Sequence, residues 1–302
     1  MGENSSFINV GYPKHNYGVG FILIQLLVLI FFPINLLMIV TIFKNDCFHV
    51  VARYILFTVM LHSDSFILLM SDILLILVQF QITIPLWLCV ITCGMTTLYS
   101  LVTPLTLTVM TLERYVAICI PLRHGELCST HRSVHCILII HTLSLFPCMV
   151  VFFILFASVE QNVYKQQRFC SVETLIIHRW QGHLKSALYQ FYFLVMCIVI
   201  VFCYFKILKV AKTAAGQNKE STSKALRTVA LHAFQLLLCL IQLWSPFIEA
   251  AVFYIDLKMF VTVRFINYVC FNIASRCLSS LIYGFRDEKL FNALKKTCFS
   301  FT

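Results

Sequence analysis

Charge is what this 302-residue chain has least of: 12% of it is Asp, Glu, Lys or Arg, 60% is hydrophobic, and the mean hydropathy is +0.87. A soluble domain carries about 25% charged residues. Half that share leaves too little polar surface for water, so the chain reads as an integral membrane protein, one domain over 1–302. Chemistry-bearing motifs are missing too. None of the 14 cysteines forms a Cys-x-x-Cys pair, which removes the usual zinc and redox signatures, and most lie in apolar runs as small hydrophobes. His131 and His135 stand four apart, but the adjacent glutamate of a metalloprotease is absent, so they read as a solvated helix start. There is no Gly-x-Ser-x-Gly and no phosphate-binding glycine loop, so no metal, cofactor or enzymatic role is expected. No internal repeat is visible, and few charges fall inside apolar segments, which argues against a transporter or channel. The first apolar run is too long for a signal-peptide core and has no small-residue cleavage site after it, so it is expected to remain as a span.

What the chain does have is seven apolar runs long enough to cross a bilayer: 18–43, 53–80, 86–120, 133–158, 186–210, 225–252 and 260–283. Each must be helical, because lipid cannot satisfy exposed backbone groups. The predicted fold is an all-α membrane protein, a seven-transmembrane helix bundle over 18–284. The third run is the least apolar, with Thr96, Thr97, Ser100, Thr103, Thr106, Thr108 and Thr111, and belongs inside the bundle, where hydroxyls find partners. The 23 Lys and Arg outnumber 13 Asp and Glu, giving +10. They gather in 44–49, 121–132, 211–224 and 286–302, the pattern of cytoplasmic segments rather than of a nucleic-acid surface. The N-terminal 1–17 is then extracellular, with Asn4 in a glycosylation sequon. The segment 214–219 reads as a flexible linker. In the tail 285–302, Leu290, Phe291 and Leu294 fall at helical spacing among lysines, predicting a short amphipathic cytoplasmic helix on the bilayer surface.

The most informative stretch is Val109 to Arg123, which sets an ion pair, Glu113-Arg114, at the end of a long apolar helix. Ionisable residues beside hydrocarbon are functional-site candidates by default. Met110 to Arg123 resembles the "MAYDRYVAICxPL" signature of odorant receptors, which are rhodopsin-like G-protein-coupled receptors, with Glu113 in place of aspartate. Lys224 to His232 resembles their "KAxxTCxxHL" signature, with Val229 in place of cysteine. Leu281 to Asp287 looks more like the odorant receptors of fish than those of mammals.

The resemblance implies roles residue by residue. Arg114 is the coupling residue, Glu113 its restraint, and Tyr115 completes the motif. Trp244 and Pro246 match the toggle and kink of span six, and Tyr204 the activation tyrosine of span five. Ser279 and Ser280 replace the family's Asn-Pro in span seven, while Tyr283 remains; span four lacks the usual tryptophan. Cys89, just after Trp87, matches the cysteine that pairs with the second outer loop, where Cys170 stands, and Cys93 competes for it. Asp64 would be costly unpaired; Asn35, Thr103, Ser275 and Ser279 lie at positions where many relatives hold a sodium ion or water. A polar network without sodium fits the same residues. Asp72 is expected either toward the ligand cavity or at the outer interface. The ligand cavity is expected between spans three, five, six and seven, at Thr96, Thr97, Ser100, Tyr192, Phe247, Ile248, Ala251 and Asn272. Hydroxyls and aromatic groups without an obvious counter-ion suit a small molecule and disfavour an amine.

The resemblance therefore implies a plasma-membrane receptor for a small, water-borne odorant that activates a stimulatory G protein and raises cyclic AMP in olfactory neurons. The alternative is a rhodopsin-like receptor for an endogenous ligand outside olfactory tissue.

Overall fold

A computed structural model describes residues 18–158, 164–170, 179–213, 219–253, 255–284 and 287–299. Asn4 lies outside them. Five long helices carry sequence apolar enough to cross a membrane: α1 (Gly18–Lys44), α3 (Ala52–Gln79), α4 (Leu86–Cys119), α6 (Thr130–Ser158) and α7 (Arg179–Thr213). Two more rods complete the bundle. One is α8 (Lys219–Phe253); the other runs through α9 (Leu257–Asn267), a π-helical turn (Tyr268–Ile273) and α10 (Ala274–Gly284). Short helices α2 (Asp46–His49) and α5 (His124–Leu127) connect spans, and α11 (Glu288–Phe299) follows the last one.

The helices overrun the apolar runs where the chain turns polar. Span five begins at Arg179 rather than 186, and span six at Lys219 rather than 225. Hydropathy marks where lipid touches the helix, while backbone bonding continues one or two turns beyond. The expected linker loses Lys219 to α8; its remainder lies outside the described residues.

The third span sits at the centre. Helix α4 packs against α3, α6, α7 and α8. Its hydroxyls find partners mainly on their own helix: Thr106 donates to the Val102 carbonyl (2.7 Å), Thr108 to Pro104 (2.9 Å) and Thr111 to Leu107 (2.9 Å). Close approach of α4 and α6 rests on Gly94, where a Cβ would fall 2.0 Å from the Phe152 ring. Small residues allow such approach where lipid supplies no hydrophobic drive.

The two ends of the bundle differ. At one end an antiparallel pair, β1 (Ile84–Pro85) with β2 (Gln167–Arg168), lies over α4, with Cys170 joined to Cys89. The other carries Lys44, Arg114, Arg123 and the helix α11. These are the disulfide end and the basic end. Asp287 caps α11 by accepting from the Lys289 and Leu290 amides (3.1 and 3.2 Å). Its second oxygen accepts from Arg53 and from the Tyr54 hydroxyl, so one carboxylate fastens α11 to the start of α3. Leu290 is buried, and Lys295 lies over the Phe291 ring at 4.6 Å, giving α11 the amphipathic form expected of it.

Candidate functional site

The polar cluster at mid-bundle is fully buried. Asn35 of α1, Asp64 of α3, Thr103 of α4 and Ser275 and Ser279 of α10 all face inward. Thr103 donates to Asp64 at 2.8 Å. Ser275 donates to the Phe271 carbonyl (2.6 Å), while Ser279 lies 3.4 Å from the Ser275 carbonyl and also hydrogen-bonds the Asp64 carboxylate. The charge of Asp64 is met by a residue that the sequence reading passed over. Arg276 of α10 donates from Nη1 to Asp64 Oδ1 at 3.0 Å, with side chains 1% and 0% exposed. Gln235 of α8, also missed, donates from Nε2 to Ser279 and to the Ser275 carbonyl (3.4 Å). A signal for Arg276 was present: a buried carboxylate demands a partner, and Arg276 stands in the middle of the seventh apolar run.

The seventh span reaches this cluster through its π-helical turn, which ends one residue before Ala274. Such turns cluster at functional sites and bend helices. With Ser279 and Ser280 in place of an Asn-Pro pair, the irregularity of this span lies in the π-turn instead. The Tyr283 and Pro246 side chains lie outside the described residues, although both positions are helical.

At the basic end, Arg114 Nε lies 3.4 Å from Glu113 Oε2, and His124 Nε2 lies 3.3 Å from Oε1. Glu113 is 9% exposed and Arg114 20%. Tyr115 tilts against Phe202 of α7 at 5.8 Å between ring centres, and Tyr204 meets Phe205 edge-on at 6.3 Å. His124 is a partner that the motif alone does not name. Between the spans, burial pushes the Cys128 thiol up, and the nearby Glu113 charge and Cys136 add to that, so this thiol is a poor nucleophile at neutral pH.

At the disulfide end, Cys93 Sγ sits 3.6 Å from Cys170 Sγ but remains a buried free thiol. The pocket candidates divide. Thr96, Thr97 and Ser100 are buried or half-buried on α4, and Ser100 lies beside the buried Tyr189 hydroxyl. The Tyr192 hydroxyl donates instead to the Leu143 carbonyl of α6 (3.1 Å). On α8, Trp244, Phe247, Ile248 and Ala251 form one exposed stripe at helical spacing, Trp244 being 48% exposed. The adjacent stripe turns toward span seven: Gln242 donates to Asn272 (3.2 Å), and Glu249 accepts from Asn267 (3.3 Å) with Arg264 at 3.9 Å. A carboxylate therefore lies beside the candidate cavity, where none was expected, and it already has partners. Asp72 accepts from Gln25 of α1, which turns it away from the α4–α7–α8 side.

A family model for "7 transmembrane receptor (rhodopsin family)" matches residues 34–283. The chain is 37% identical over 276 residues to "Odorant receptor 131-2" of Danio rerio, covering 91% of this chain and 85% of that protein.

Proposed function

The chain belongs to the rhodopsin family of seven-transmembrane receptors, on the branch of the fish odorant receptors, and from that premise we propose that it is an odorant receptor of the plasma membrane. It is a receptor and not an enzyme. The disulfide end faces the outside, with the N-terminus, and the basic end faces the cytoplasm. A small, water-borne odorant binds in the outer half of the bundle, between spans three, five, six and seven. The active state engages a stimulatory G protein and raises cyclic AMP in olfactory neurons.

The observation that carries this reading is the pair at the basic end. Glu113 holds Arg114 through a single charge contact of 3.4 Å that makes no hydrogen bond, and the arginine is 20% exposed. Such a pair is worth about 0–1 kcal/mol, so modest binding energy suffices to release it. A ligand that prefers the active state tenfold shifts the equilibrium tenfold, equivalent to about 1.4 kcal/mol. Outward movement of α8 opens the basic end, and the freed Arg114 meets the G protein. The exposed α8 stripe of Trp244, Phe247, Ile248 and Ala251 offers apolar contact, and Thr96, Thr97, Ser100 and Asn272 offer hydrogen bonds.

A panel of water-soluble odorants, applied to cells co-expressing the receptor and a stimulatory G protein, tests this with cyclic AMP as the readout. A dose-dependent rise for a subset of compounds is expected. A receptor that reaches the surface, stays silent to the panel and answers a tissue-derived endogenous ligand would overturn it.

A further inference from the structure

The Asp64 site carries its own cation. Carboxylates buried in a low-dielectric interior demand a positive partner. In the family this cluster resembles, that partner can be a sodium ion. Here a guanidinium occupies the approach to Asp64 Oδ1 at 3.0 Å and is as deeply buried as the carboxylate.

The residues around it do not fit a second cation. Like charges about 4 Å apart repel by an amount that costs on the order of a thousandfold in affinity. Asp64 Oδ2, Asn35 Oδ1 and Gln235 Oε1 are buried oxygens with spare lone pairs, so the case against a second cation rests on the charge that Arg276 already places among them. Arg276, Thr103 and Ser279 all donate toward the Asp64 carboxylate, and Gln235 turns its Nε2 toward Ser279. Sodium prefers a cage of oxygen acceptors, and Arg276 puts a full positive charge inside this one.

We infer that Arg276 is the resident cation of this site, and that the resting receptor is held by the Asp64–Arg276 pair without sodium. The guanidinium is tethered to α10, so the charge is always present and costs no binding entropy. It also ties spans two and seven directly, with Thr103 adding span three. Gln235 brings span six to the same serines, so movement of α8 passes through this network. The inference rests on the receptor fold and not on the identity of the ligand, so its failure would leave the proposed function standing.

Thermal unfolding of the purified full-length receptor, in sodium chloride against choline chloride at equal ionic strength, tests it without any ligand. The wild-type midpoint is expected to differ by less than about 1 °C between the salts. Arg276→Ser, which leaves Asp64 without its cation, is expected to unfold earlier in choline and to regain about 3 °C or more in sodium. Arg276→Lys keeps a charge and is expected to remain insensitive. A sodium-dependent rise in the wild type overturns the inference, as does a folded Arg276→Ser with the same midpoint in both salts. Should Arg276→Ser fail to fold, the wild-type and Arg276→Lys measurements decide: insensitivity in both supports the inference, and a sodium gain in either overturns it.

Discussion

Two of this receptor's acid–arginine pairs share their chemistry and have opposite designs. Asp64–Arg276 joins residues 212 positions apart, at 3.0 Å, in the buried middle of the bundle. Glu113–Arg114 joins neighbours in sequence, at 3.4 Å, at the basic end. Removing one member of a buried pair costs about 3–5 kcal/mol, because the survivor is left as an unpaired charge in low dielectric. Removing one member of a part-exposed pair costs about 0–1 kcal/mol, because water takes its place. The first arrangement suits a weld and the second a catch, and only a catch can be released by the binding energy of a small ligand.

The comparison breaks first at its strong end. Arg276→Ala should lower stability in sodium-free medium by about 3–5 kcal/mol and strip the receptor from the cell surface, measured by surface labelling and thermal unfolding. Replacing both Asp64 and Arg276 by leucine should recover most of that loss; a single variant as stable as wild type would show that the pair welds nothing. Cys170→Ser opens the Cys89–Cys170 link across 81 residues and should cost about 2–5 kcal/mol, read as retention inside the cell. Normal delivery would count against a structural role for the bridge. At the weak end, Arg114→Ala should change stability by less than about 1 kcal/mol yet abolish ligand-stimulated second-messenger output with surface level intact. Glu113→Gln should raise ligand-free output up to about fivefold, and an unchanged baseline would mean that Glu113 restrains nothing. The smallest effect belongs to Arg132–Glu126, whose side chains are 47% and 67% exposed. Arg132→Ala should leave stability unchanged within about 0.5 kcal/mol, as measured by the same unfolding curve.

Local signals were legible in the sequence, and pairings between distant elements were not. Apolar run length gave the seven spans, and the hydroxyl content of 86–120 pointed to a central α4, because both follow from what lipid tolerates. Lysines interleaved with Leu290, Phe291 and Leu294 gave α11. Arg276 was legible as a cation inside the seventh apolar run, but nothing near it in the chain names Asp64 as its partner. Gln235 and His124 are invisible for the same reason: each gains meaning only once a second helix or a loop is folded against it. The two stripes of α8 depend on helix rotation, which apolar content on all sides of a membrane helix does not encode. Helix ends were set short at Arg179 and Lys219, since hydropathy reports the slab and not the hydrogen-bond ladder.

The π-turn at Tyr268–Ile273 has a consequence for how this span can vary. A π-turn winds one more residue than an α-turn, and each residue turns a helix by about 100°. The extra residue therefore sets the rotational phase of everything after it, Arg276 included. Straightening the turn without removing a residue would swing the guanidinium about a quarter-turn off Asp64, whereas deleting one residue inside 268–273 would straighten the span and keep the two in register. Length changes in this span are thus governed like gear teeth: one loss is tolerated at the slack tooth, and elsewhere between the turn and Arg276 the same loss throws the mesh out.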